Sequence, residues 1–165
     1  MEIYDFKVPD PGTRGLAMRL FGPNAQLVLA FLACLSDLSQ EDFAKVANAW
    51  RQTDDRDRAE ARARLHRAAS DRERQQILAA ASVARREALE TANRRQWHDW
   101  SLWAAASDAA AAIAARDRTF RDYQTLISPM SVVMPWLPPA AGDVRSGKDI
   151  AASYLPSAHA LGQGA

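Results

Sequence analysis

The side chains best placed to do chemistry lie in one short run. Residues 97–116 read WHDWSLWAAASDAAAAIAAR, with tryptophans at 97, 100 and 103 and one carboxylate, Asp108, in an alanine-rich field. Trp100, Trp103, Ser107, Ala110, Ala111 and Ala114 recur at three-and-four spacing, so the run reads as a helix that is apolar nearly all round. Alanine lets neighbouring backbones approach, and tryptophan fills the space where they diverge. Such a helix belongs at the centre of a bundle, unless part of the Trp97–Trp103 face is left open to dock a partner. A carboxylate in it is costly unless paired or hydrogen-bonded. Arg62, Arg64, Arg85, Arg86, Arg94 and Arg95 are available as partners. Asp108 is therefore expected in a helix–helix salt bridge or on a face that reaches solvent, with a ligand-binding or catalytic carboxylate as the alternative.

The arginines form the second candidate group. Segment 51–95 carries twelve arginines against eight acidic residues, although the whole chain has a formal net charge of only +1. Pairs at helical spacing, such as Glu60–Arg64 and Asp54–Arg58, read as a solvated face. The unopposed residues Arg85, Arg86, Arg94 and Arg95 are the ones that suit nucleic acid or an acidic protein. QEDFAKVANAW, which follows Ser39, has an acidic start and no outward basic face, unlike a recognition helix.

Other chemistry finds little support. His98 and Asp99 are neighbours and point to different faces of a helix. His66, His98 and His159 are widely separated, and no H-x3-H, E-x2-H or C-x2-C pattern occurs. There is no G-x-S-x-G, P-loop or glycine-rich dinucleotide turn. No catalytic residue, metal site or cofactor is expected, and the chain is read as a non-enzyme. Cys34 is the single cysteine, and its apolar surroundings in VLAFLACL suggest a buried, inert thiol. The longest apolar run, LVLAFLACL, is less than half of the roughly 20 residues a bilayer span needs. With no secretory signal in MEIYDFKVPDPG, the expectation is a cytoplasmic protein without membrane partners.

The elements that hold these residues follow from punctuation. Between Pro23 and Pro129 there is neither glycine nor proline, and no strand-like alternation. The fold class expected is all-α: a bundle of about five to seven helices over 23–136, with an irregular N-terminal arm (1–22) and a flexible Pro/Gly-containing tail (137–165). Caps place helices at about 23–36, 40–52 after Ser39, 54–69 after Thr53, and 71 onward after the Ser70/Glu73 capping box. A helix unbroken from 71 to 116 would be about 69 Å long, against roughly 40 Å for a compact globule of this size. A break is therefore expected near 93–97, where Thr91, Asn93 and His98 are mediocre helix formers. Asp117–Arg118–Thr119 marks another break, with shorter helices at 119–127 and 129–136. The expected seam of the helix from 71 is Ile77, Ala81, Ala84 and Ala88, flanked by Leu78 and Leu89. Helix 54–69 has only Leu65 as a large apolar residue, so it must lie at the bundle's edge or be covered in an oligomer.

The pattern W-x2-W-A-A-A-S-D-A-A-A-A-I-A-A-R-D from Trp100, with Y-x2-L-I-S-P from Tyr123 and V-x2-P-W ending at Pro135–Trp136, resembles alanine-rich stretches of uncharacterised helical proteins from high-GC bacteria and their phages. The resemblance covers residues 100–136 and implies no activity. The function expected is protein–protein interaction or self-assembly as a homo-oligomer, through Trp97, Trp100, Trp103, Arg85, Arg86, Arg94 and Arg95. A small nucleic-acid-binding regulator using the arginine face is the alternative, and an enzyme or ligand binder centred on Asp108 is a further one.

Overall fold

The computed structural model describes residues 11–116 and 120–137, and the side chains of 15–116 and 122–137. Among the described residues there are seven helices and no strand: α1 Pro11–Phe21, α2 Ala25–Ser36, α3 Gln40–Arg51, α4 Asp55–Ala68, α5 Asp71–Arg95, α6 Ser101–Ala114 and α7 Phe120–Ser131. The all-α expectation holds. Residues 1–10, the expected break at 117–119 and the tail beyond Leu137 lie outside the described residues.

The alanine-rich helix α6 is the centre. It packs against α2, α3, α5 and α7. Leu102, Ala105, Ala106, Ala109, Ala110, Ala112 and Ile113 are all fully buried on it. Small side chains on α6 and α5 (Ala80, Ala84, Ala88) let these two helices lie close, and theirs is the most extensive contact between helices. The buried seam of α5 is Ile77, Ala80, Val83, Ala84, Glu87, Ala88, Thr91 and Ala92. Ala81 is only half-buried and Leu78 is exposed, so the seam lies slightly round from the expected one.

Helix starts follow their caps. Ser39 Oγ accepts from Asp42 N at 3.0 Å, and Ser70 and Glu73 form a complete capping box. Asp54, rather than Thr53, caps α4, accepting from the amides of Arg56 and Asp57. The Thr53 hydroxyl instead donates to the Trp50 carbonyl at 2.6 Å. The expected break after α5 is a left-handed residue, Gln96 at φ 58°, after which Trp97 N bonds Ala92 O at 2.8 Å. That bond spans five residues and closes the helix end as a Schellman turn does. Asp99 then starts α6 by accepting from both the amide and the hydroxyl of Ser101.

Two expectations need correction. The segment expected as an irregular arm contains α1, in spite of Gly12 and Gly15. Ala17 and Phe21 are fully buried there, so tertiary packing outweighs weak helix propensity. The chain then turns by 96° into α2 through Gly22, at φ 85°. At the other end one helix replaces the expected two, because α7 runs through Pro129. Proline lacks the N–H that would bond the carbonyl four residues back. Here the Ser128 hydroxyl donates to that carbonyl, Thr125 O, at 3.3 Å.

No single helix among the described residues is long and apolar enough to cross a membrane.

Candidate interaction surface

Helix α4 packs chiefly on α7 and buries only Arg58, Ala61 and Leu65. The edge position expected for so lightly loaded a helix is what the fold shows. Arginines fasten it. Arg62 Nη1 donates to both carboxylate oxygens of Asp108 on α6, at 2.9 and 3.0 Å. Arg64 Nε donates to buried Asp122 on α7 at 2.9 Å and reaches Glu60 at 4.0 Å. Arg58 lies 3.6 Å over the Trp50 ring, donates to the Trp50 carbonyl and pairs with Asp55. The expected Asp54–Arg58 pair is thus displaced by Asp55–Arg58, since Asp54 is occupied as the cap.

Asp108 is 4% exposed. Burial pushes its carboxyl above the usual carboxylate range, and the Arg62 hydrogen bond and charge, followed by Arg58, pull it back. This is the helix–helix salt bridge expected from the sequence.

The three tryptophans part company. Trp97 follows the left-handed turn, is buried, and stacks on Phe43 at 4.6 Å and 4°. It belongs to the core and not to an exposed belt, a correction to its place among the partner-binding residues. Trp103 is half-buried. Trp100 is 53% exposed, braced edge-on against Trp50 at 5.9 Å.

Trp100 lines two open clefts. The smaller, about 330 Å³, is bounded by Arg62, Arg85, Trp100, Trp103, Ser107 and Asp108. The larger, about 890 Å³, lies toward α3 and the start of α4 and includes Trp50, Arg51, Arg58, His98 and Asp99. Its charges are internally matched: Arg51 pairs with Asp99 and Arg58 with Asp55. Asp99, raised by burial but lowered more by Ser101 and Arg51, sits below the ordinary carboxylate value. Trp50 and Arg58, central to this surface, escaped sequence reasoning. They stand eight residues apart on different helices, and no periodicity joins them.

The arginine cluster is also divided. Arg95 donates to the carbonyls of Ser36, the last residue of α2, and Leu38, in the connection to α3, and lies 5.2 Å over Trp97. Arg94 donates to Thr91 at 3.3 Å. Arg85 and Arg86 are exposed and make no ion pair or hydrogen bond among the described residues. Of the four, Arg85 joins Trp100 and Trp103 in lining the smaller cleft.

The Cys34 thiol is half-buried, and burial with the nearby Asp37 charge pushes it up to about 11, in keeping with inertness. No group of three or more His, Cys, Asp or Glu among the described residues is placed to hold a metal ion. No family model, curated protein or solved structure matches the chain.

Proposed function

We propose that this is a non-enzymatic interaction protein that docks a protein partner, or a second copy of itself, on the surface centred on Trp100. The observation that carries the reading is the exposure of Trp100 at the head of an otherwise buried helix, beside Trp103 and the exposed Arg85. Tryptophan and arginine dominate binding hot spots, and they are most effective where a rigid scaffold holds them. The Trp50 edge contact and the hydrogen bonds from Ser101 to Asp99 supply that rigidity. Covering the exposed half of the indole removes about 100 Å² from water, worth about 2–3 kcal/mol to a complex. Apolar burial supplies the affinity, and arginine–carboxylate pairs set the register.

The test is light scattering of the full chain together with photo-crosslinking from a benzophenone residue placed at position 100, with exposed Gln75 as the control position. A discrete adduct from position 100 alone, and loss of association in Trp100→Ala with unchanged helicity, is the expected result. Equal adducts from both positions, or association unchanged in Trp100→Ala, overturns the reading.

A second reading, a nucleic-acid-binding regulator, draws on exposed Arg85 and Arg86. It requires affinity that falls steeply with salt and is lost when both are reversed to glutamate. Salt-insensitive binding rejects it.

A further inference from the structure

The smaller cleft has a definite polarity. Asp108 is buried and both its oxygens already accept from Arg62, so its negative charge is matched within the lining. Arg62 is anchored through Nη1 alone, and Nε and Nη2 make no hydrogen bond among the described residues. Arg85 on the same lining makes no ion pair or hydrogen bond among the described residues, nor does the half-buried Ser107 hydroxyl. Two guanidiniums against one carboxylate leave the lining with one uncompensated positive charge and a surplus of donors. Trp100 and Trp103 form its apolar part.

The complement to such a lining is one negative charge on an apolar stem. A carboxylate balances the charge, whereas a phosphate dianion would overshoot it. We infer that the cleft between α4, α5 and α6 receives an acidic side chain, Asp or Glu, of a protein partner, with an adjacent apolar residue resting on Trp100 and Trp103. Charge complementarity selects this occupant, and the inference rests on the docking role given to Trp100. Arg85 and the free edge of Arg62 take the carboxylate. Asp108 is a positioning residue, because it fixes the Arg62 guanidinium before the partner arrives and so lowers the ordering cost.

The probe is 3-phenylpropionate, with the neutral 3-phenylpropionamide as its isostere, titrated into the full chain while the indole N–H resonances are followed. The acid is expected to shift Trp100 and Trp103 with millimolar affinity and the amide much less. Losing one charge-assisted pair in Arg85→Gln is expected to weaken the acid about tenfold, with Arg85→Lys recovering most of it. Equal binding of acid and amide, or no effect of Arg85→Gln, overturns the carboxylate site. Micromolar binding of the free acid overturns the protein partner as its source in favour of a small organic acid. If Trp100-dependent association persists while acid and amide tie, only this inference fails; if association ignores Trp100, the docking role fails as well.

Discussion

One nitrogen of Arg62 on α4 holds both oxygens of Asp108 on α6, at 2.9 and 3.0 Å across 46 residues of chain. The two partners are unequally placed: the Arg62 side chain is 44% exposed and that of Asp108 only 5%. Deleting Arg62 strands a charge in the interior, whereas deleting the carboxylate lets Arg62 turn to water. Arg62→Ala is therefore expected to cost on the order of 2–4 kcal/mol, less than for a wholly buried pair because Arg62 is solvated. Asp108→Asn keeps an acceptor and should cost about 1 kcal/mol. Urea unfolding of the two variants measures the asymmetry, and equal losses would contradict it.

Helix α4 has little apolar burial of its own and relies on Arg62–Asp108 and Arg64–Asp122 to stay in place. Elements with few buried apolar contacts open first. Amide hydrogen exchange should therefore be fastest in α4 and slowest in α6, and Arg64→Ala should accelerate exchange in α4 without altering α6. Uniform protection across the two helices would refute this account.

His66 stands near the end of α4, its Nδ1 shielded from water and without a hydrogen-bond partner among the described residues. Burial, then the charges of Arg74 and Arg62, hold it below its ordinary value. As pH falls through about 6.5 the unfolded chain takes up the proton first, so the unfolded state gains. The stability from a neutral His66 is complete above that pH and drains away until the lower folded-state value is passed. Thermal midpoints should fall between about pH 7.5 and 5.5 in the wild type. His66→Gln should flatten that slope, and an unchanged slope would assign the pH response to other groups.

Gly22 sits at φ 85°, where a Cβ would come within 2.7 Å of Gln76 Oε1. Gly22→Ala meets both the left-handed backbone penalty, about 1–2 kcal/mol, and that contact. Gln76 is flexible at its far end, so Gly22→Ala/Gln76→Ala should relieve the contact and keep the backbone cost. A lower melting point in the single variant, only partly restored in the double, is the expected pattern. Full restoration would mean that the backbone term is absent.

Much of this architecture is legible in the residues, because local chemistry decides it. Ser39 and Ser70 announce their helices through hydroxyls that reach amides three residues on. The break near 93–97 follows from weak helix formers and from the length that an unbroken rod would have. Asp108 could be assigned an arginine partner because a buried charge demands one. Decisions made by the packed whole were not legible. Glycines at 12 and 15 argue against α1, and only the burial of Ala17 and Phe21 explains it. Spacing groups Trp100 with Trp103 but does not say which stripe of α6 is covered. The left-handed Gln96 sends Trp97 off the helix and into Phe43, which no periodicity signals. Arg95 looks unopposed in the sequence because its partners are the carbonyls of Ser36 and Leu38.

Trp100 forms a wall common to both clefts. Because Trp50 braces that ring, the partition stands fixed, and truncating it to alanine would join the two hollows into one continuous trough.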